Sequence, residues 1–422
     1  MPVAEPDNHA LSGAELFGLG SLQHARNVFD LGLSVNESGG NTGIISSNAP
    51  SGLGSQTLFS ATMNLNHTWS HYQLTGFYNG GDSLVYPSTN GQGQNWFQDV
   101  GIEQTMSWRR WVVRLHDDFL ASPEASFGGQ GVGGPGLLGL SSPLVALGTI
   151  SSGFNPDQTI LTGPSMRLDN TALAEVDYSI SRRSTLTVSG SYGLLHFLST
   201  GFIDNHVWNG QVGFSHSLSP ANSIALTAGY SRVSYVGTGQ IMENEVFNVG
   251  FGRKITSRMA LQLSSGPTRV SVYNFVPPTN PRWTWDLSAS LKYEWRRAGA
   301  SVSYVHSTTP GSGVLLGAQS DSFTMSAYRK LSRFWTFTVD GGDAYNTGLF
   351  SSGSAGGNFN TYYAGANLDH QMGRHFVLGF NYGLQKQDAN SISCPVTSCG
   401  GTNLLQIGGV TLSWHPQAIV LE

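Results

Sequence analysis

Charged side chains recur at alternate positions along several segments of the chain, and their spacing suggests contact with ions in water. Residues separated by an even number of positions lie on the same face of a β-strand. The residues assigned by this parity to one face are Asp99, Glu103, Arg114, His116, Asp118, Glu175, Asp177, Asp286, Lys292, Glu294 and Asp340. Rings of charged side chains select ions by sign, so this mostly acidic set predicts a mild preference for cations. The alternative is that these groups only keep an interior wet and pair with the few bases.

The segment from residue 282 to residue 295 shows which elements would position these side chains. Every second residue is apolar or aromatic, and the residues between them are polar. The apolar set is Trp283, Trp285, Leu287, Ala289, Leu291, Tyr293 and Trp295. A period of two predicts a β-strand with one apolar and one wet face. Aromatic residues at both ends with aliphatic residues between them are typical of a strand that crosses a bilayer.

The composition excludes several classes of protein. Only 11% of the 422 residues are charged and 54 are glycine, while the mean hydropathy is −0.13. A helical membrane protein would need runs of about 20 apolar residues, and the sequence contains none. The net charge is −5, and no basic cluster with interleaved aromatic residues is present, so nucleic acid is not expected as a partner.

The same alternation recurs along the whole chain, in about 18 segments that are each long enough to cross a bilayer at a tilt. Their centres lie near residues 31, 61, 75, 102, 115, 176, 190, 213, 227, 248, 262, 289, 303, 326, 338, 365, 380 and 410. Short links follow the even-numbered segments, and mostly longer links follow the odd-numbered ones. We therefore predict an all-β fold, a closed antiparallel transmembrane β-barrel with short periplasmic turns and long extracellular loops.

Residues 26–416 would form this barrel. Residues 1–25 are not strand-like and are predicted to form an N-terminal periplasmic segment that is compatible with a short helix, while residues 417–422 form a C-terminal tail. No signal peptide is visible, so Met1 is expected to begin the mature chain. Arginine is frequent at the short links, where ordinary solvated turn charge is the simpler interpretation. Two or three soluble β-sandwiches are the alternative architecture, although they would carry more charge and visible linkers.

The link from residue 121 to residue 170 is unusually long and apolar for a solvated loop. Here the architecture of residues 26–416 resembles that of bacterial outer-membrane porins, whose third loop folds into the barrel and narrows the pore. The resemblance implies that Arg114, His116 and Asp118 line the narrowest part. The residues that would constrict it are Leu137, Leu138, Leu140, Leu144 and Val145. An external cap or an oligomer contact is the alternative role for this link.

Other motifs predict little chemistry. Cys394 and Cys399 are separated by four residues in a predicted loop and suit a local disulfide in an oxidising compartment. No metal site is predicted, because the two cysteines lack the further ligands that a metal would need, and metal binding by the histidine pairs at the tight turns, His67/His71 and His370/His375, is the less favoured alternative. No cofactor is predicted. No catalytic residue is predicted either, because parity and spacing place no nucleophile beside a histidine and an acid.

The predicted function is an outer-membrane channel of a Gram-negative bacterium for passive diffusion of small polar or sugar-like solutes. The expected partners are those solutes, membrane lipid and lipopolysaccharide, and a homo-oligomer is compatible with the architecture. The alternative is a secretion, export or structural barrel with a plugged lumen and with surface or periplasmic partners.

Overall fold

The computed structural model describes residues 27–41, 53–86, 94–123, 160, 166–274, 280–349, 357–389, 404–417 and 419–420. These residues form a sheet of long antiparallel strands, each followed in space by the next in sequence. The strands are β1 (Val28–Asn41), β2 (Leu53–Thr68), β3 (Tyr72–Tyr86), β4 (Gln94–Ser107), β5 (Trp111–Pro123), β6 (Met166–Ser181), β7 (Ser184–Phe197), β8 (Asn205–Ser219), β9 (Asn222–Tyr235), β10 (Ile241–Thr256), β11 (Met259–Tyr273), β12 (Arg282–Trp295), β13 (Ala298–Thr309), β14 (Ala318–Lys330), β15 (Trp335–Gly348), β16 (Asn358–Met372), β17 (Phe376–Ala389), β18 (Leu404–Trp414) and β19 (Ile419–Val420).

The sheet closes on itself because β18 pairs with β1. Leu33 faces Trp414 and Asn41 faces Gln406 across this ladder. Beyond residues 415–417, which are not in a strand, the short β19 lies alongside the start of β1, where Phe29 faces Ile419. Closure leaves no open edge among the long strands, which is what a sheet in hydrocarbon requires, since unpaired N–H and C=O groups there are costly. The predicted all-β, closed antiparallel barrel of about 18 strands is therefore confirmed.

The outer wall is apolar and carries aromatic residues at both ends of its strands. On β12, Trp283 is 68% exposed, Trp285 56% and Trp295 54%, and Leu287 lies between them. The same side of the sheet exposes large apolar residues on strand after strand, as an acyl-chain environment requires. No helix in the described part of the chain is long and apolar enough to span a membrane.

The two ends of the barrel differ in how the strands are joined. At one end, the short-turn end, the links are residues 69–71, 108–110, 182–183, 220–221, 257–258, 296–297, 331–334 and 373–375. Both the start of β1 and the end of β18 lie at this end. The other end, the loop end, carries the remaining links. Among them, residues 310–317 between β13 and β14 are mostly buried.

Residues 310–317 pack against the inner wall at the loop end and form an apolar core inside the barrel. Val314 and Leu315 cluster with Ile160, Ala318 and Phe359. A second buried cluster lies on the neighbouring strands and consists of Val207, Val233, Tyr235, Met242, Val270 and Leu349. At the loop end a chain segment therefore covers part of the inner wall.

Candidate functional site: the inner wall

The inner wall carries an ionic network on β5 and β6. The guanidinium of Arg114 donates to Glu175, directly across the ladder, and its Nη1 lies 3.0 Å from Oδ2 of Asp177. Thr187 on β7 donates to Oδ1 of Asp177 at 2.6 Å. Glu175 and Asp177 are each only 4% exposed. Burying two carboxylates beside one guanidinium is tolerable because charge-assisted hydrogen bonds offset the loss of hydration.

Further acidic groups lie on the same wall, nearer the loop end. Asp118 on β5 faces Gly101, so it is a diagonal neighbour of both Asp99 and Glu103 on β4. His116 faces Glu103 across this ladder and is 8% exposed. Alternation therefore brings the sequence-selected residues of β4, β5 and β6 together on one wall, which we call the charged sector.

Two members of the charged sector were missed at the sequence level, namely Arg167 and Asp169. Both point inward from β6, and Nη2 of Arg167 lies 3.6 Å from Oδ2 of Asp169. Arg167 is 3% exposed. The sequence reading placed both residues in the long third link, whereas β6 begins at Met166. Both residues lie an even number of positions from Glu175 and Asp177, and this spacing is the sequence signal that would have predicted them to face inward.

The other sequence-selected residues lie on more distant strands. On β12, Lys292 Nζ is 3.5 Å from Oε2 of Glu294, and the Tyr328 hydroxyl donates to Oε1 of Glu294 at 2.8 Å. Asp286 shares the inner face of β12, and Asp340 has the inward parity of β15. The structure therefore distributes these charges around the wall instead of gathering them in the charged sector.

Some selected residues fall outside the described part of the chain. They are the five apolar residues of the third link, Leu137, Leu138, Leu140, Leu144 and Val145, and the two cysteines, Cys394 and Cys399. Ile160, from the same link, is described. It is 1% exposed and packs against the segment 310–317.

The segment 310–317 is fixed to the loop end by main-chain hydrogen bonds. Ile203 N donates to Gly313 O at 2.8 Å, and Leu349 N donates to Gly317 O at 3.1 Å. The Tyr235 hydroxyl donates to Pro310 O at 3.1 Å. Phe197 closes over Gly313, where an added Cβ would meet the ring at 2.2 Å. We call this part of the wall, from β7 to β11 with the segment 310–317, the apolar sector.

A serine–histidine contact lies on the outer wall near the short-turn end. Ser184 Oγ is 2.9 Å from Nδ1 of His216. Nucleophilic catalysis also requires a group that orients the imidazole. Among the described residues, no acid pairs with His216. The pair therefore has the geometry of a structural hydrogen bond between β7 and β8.

A closed barrel of this size, with an apolar outer wall and a largely polar inner wall, is a transmembrane barrel of the bacterial outer membrane. Solved structures with a similar architecture are porins. A BenF-like porin from Pseudomonas fluorescens is 9% identical, with 93% of this chain and 98% of that chain covered and a TM-score of 0.45. Pseudomonas aeruginosa OpdO is 11% identical, with coverages of 94% and 99% and a TM-score of 0.44.

Pseudomonas aeruginosa OccK2 (OpdF), solved in complex with glucuronate, is 8% identical, with coverages of 92% and 97% and a TM-score of 0.43. Identities this low carry no information about solutes or partners. No protein-family model matches the chain, and no curated protein matches it in sequence.

Proposed function

We propose that the barrel is a channel for passive diffusion of small polar or sugar-like solutes, with a mild preference for cations. The observation that carries the proposal is the excess of acids over bases on the inner face. By parity the inward acids are Asp30, Asp99, Glu103, Asp118, Asp169, Glu175, Asp177, Asp286, Glu294, Asp340 and Asp369, and the inward bases are Arg114, Arg167, Arg282 and Lys292, while Lys254 and Lys330 share the inward parity but lie exposed at the short-turn rim. A negative interior raises the local concentration of cations.

The proposal includes an orientation. The short-turn end would face the periplasm and the loop end the exterior, as link lengths in outer-membrane barrels indicate. The segment 310–317 and Ile160 would then narrow the external mouth. The sequence-based constriction at Leu137–Val145 stays a prediction. The outer wall would contact membrane lipid and, near the loop end, lipopolysaccharide.

Ion selectivity measured in a planar bilayer tests whether the barrel is a cation-preferring channel. Purified protein should give stable conductance steps, and a salt gradient should give a reversal potential of cation-selective sign. The double variant Asp99→Asn/Asp118→Asn should shift that potential toward zero, because it removes two inward acidic groups. The matched control Glu243→Gln/Glu245→Gln removes two acids from the outer wall and should leave the potential unchanged. Anion selectivity of the unaltered protein would contradict the acidic-lumen argument.

A plugged secretion or structural barrel is the second candidate, and the buried segment 310–317 favours it. Such a barrel would show no conductance as purified. Steps that appear only after residues 125–165 are deleted, or after residues 310–317 are replaced by a short Gly-Ser link, would identify it. Steps of equal size before and after both changes would remove this candidate.

A further inference from the structure

The short turns have a charge unlike the rest of the surface. The eight turns at this end contain no Asp or Glu. Most of the chain's Lys and Arg residues lie in or beside them, and all of these are exposed: Arg109, Arg110, Arg182, Arg183, Arg253, Lys254, Arg258, Arg296, Arg297, Arg329, Lys330, Arg333 and Arg374. We call this set the basic collar.

The outward-facing bases near the loop end have a different setting, since each of the three in the described part of the chain pairs with an acid. Arg232 lies 3.8 Å from Glu243, Arg269 lies 3.2 Å from Glu245, and Lys386 lies 3.0 Å from Asp388. The basic collar therefore does not follow from the composition of the whole outer surface. It is a property of one end of the barrel.

Two parts of the basic collar meet in a groove on the barrel rim. The groove has a volume of about 580 Å³ and is lined by Trp295, Arg296, Arg297, Ala298, Arg329, Lys330 and Leu331. Ala298 faces Arg329 across the β13–β14 ladder, and Lys330 N donates to Arg297 O at 2.7 Å. The small side chain of Ala298 leaves the space between Trp295 and Arg329 open.

The charge inside the groove is not balanced by neighbouring acids. Among the described residues, none of Arg296, Arg297, Arg329 and Lys330 forms an ion pair with an acid. The closest acid along the strand, Glu294, lies on the inner face and bonds to Lys292 and Tyr328. Four like charges on two adjoining strand ends repel one another, so the groove favours a bound anion.

The rim of the groove is apolar on the side of the outer wall. Trp295 and Leu331 are each 54% exposed, and the indole of Trp295 lies in the aromatic band of β12. A ligand that matches both the cations of the groove and its apolar rim has an anionic head and an apolar tail. Basic pockets at a membrane interface bind the head groups of anionic lipids in this manner.

We propose that this groove binds an anionic phospholipid of the membrane leaflet at the short-turn end, and that a lipid with two phosphates fits it best. The four cations would contact the phosphates, and Trp295 and Leu331 would contact the first part of an acyl chain. The assignment to the periplasmic leaflet rests on the orientation given under the proposed function. The binding itself does not depend on whether the channel conducts.

Native mass spectrometry of the full chain in detergent tests the proposal. Cardiolipin, phosphatidylglycerol, phosphatidylethanolamine, lipid A and inorganic phosphate are titrated separately. The groove variant is Arg296→Gln/Arg297→Gln/Arg329→Gln/Lys330→Gln. The control, Arg109→Gln/Arg110→Gln/Arg182→Gln/Arg183→Gln, removes the same charge from two other turns of the basic collar. Heat-modifiable gel mobility shows whether each variant folds, and a single Arg329→Gln variant replaces the quadruple one if the latter does not.

We expect one tightly bound cardiolipin on the unaltered protein and on the control, with phosphatidylglycerol weaker and phosphatidylethanolamine weaker still. The groove variant should bind cardiolipin at least about tenfold more weakly. Equal losses of cardiolipin affinity in the groove variant and in the control would show that only the total charge of the basic collar matters, and would overturn the proposal. Tighter binding of lipid A than of cardiolipin, or displacement of cardiolipin by inorganic phosphate, would overturn it as well.

Discussion

The charged sector and the apolar sector belong to the same inner wall, yet ion pairs stabilise the first and apolar packing stabilises the second. In the charged sector, Arg114 on β5 pairs with two buried carboxylates of the neighbouring β6, so the polar groups satisfy one another. In the apolar sector, the segment 310–317 covers the wall and excludes water from it. The difference shows that pointing inward does not by itself place a side chain in polar surroundings. The surroundings depend on whether another chain segment packs over that part of the inner wall.

The largest effect is expected from Arg114→Ala in the charged sector. It leaves Glu175 and Asp177 buried without their guanidinium, and breaking such a pair costs about 3–5 kcal/mol of unfolding free energy. Urea unfolding in detergent micelles measures the loss. The control Arg269→Ala removes an exposed pair on the outer wall, which is worth about 0–1 kcal/mol. Equal losses in the two variants would contradict the difference between buried and exposed pairs.

Phe197→Ala tests the packing of the apolar sector. Phe197 is 4% exposed, and its ring stacks on Phe202 with centroids 4.7 Å apart. Removing this buried ring should cost about 3 kcal/mol, because a cavity is left under the segment 310–317. Phe214→Ala on the outer wall, where the side chain is 38% exposed, should cost less in the same unfolding measurement. A larger loss at Phe214 would show that the apolar sector is not tightly packed.

Gly311→Ala tests whether the segment 310–317 narrows the mouth. Gly311 has a φ of +92°, and an added Cβ would lie 2.3 Å from the main-chain oxygen of Leu315. The segment must shift, at a cost of about 2 kcal/mol, and the single-channel conductance should rise. Gly237 has a φ of +82° with no atom within 4 Å of its added Cβ. Gly237→Ala therefore controls for backbone strain and should leave the conductance unchanged.

The smallest effect is expected at Asp204, which borders the apolar sector. Its carboxylate accepts a hydrogen bond from Phe197 N at 2.8 Å and contacts His196 at 2.5 Å. Asp204→Ala should lower the unfolding free energy by about 1 kcal/mol, because Phe197 N loses its acceptor. Asp204→Asn keeps an acceptor oxygen and should recover part of that loss. Absence of any recovery would assign the effect to charge instead of the hydrogen bond.

Much of the barrel could be predicted from local pattern. Each of the 18 predicted segment centres, from residue 31 to residue 410, falls inside an observed strand. The reason is that a strand between lipid and water must alternate along its whole length, so the signal repeats many times. Arg114, Glu175 and Asp177 were placed on one face by the same parity, and the ladder between β5 and β6 joins them.

Parity was less informative where the outer and inner faces are both apolar. On β8 and β9, Val207 and Val233 point inward and are buried, although alternate inward positions nearby are polar. Their partner is the segment 310–317, which lies far away in sequence. The sequence assigned the constriction to the third link alone, because nothing local marks residues 310–317 as a segment that folds inward.

The sequence by itself therefore determined the strand number, the closure and the sorting of residues between the outer and inner walls, since hydrocarbon on one side imposes a period of two. Only the tertiary structure decided which inward residues meet. It placed Arg167 and Asp169 in the charged sector, seated Val314 and Leu315 inside the mouth, and brought two basic turns into one groove. These contacts depend on strand register and on long-range packing, and neither of these produces a periodic pattern in the sequence.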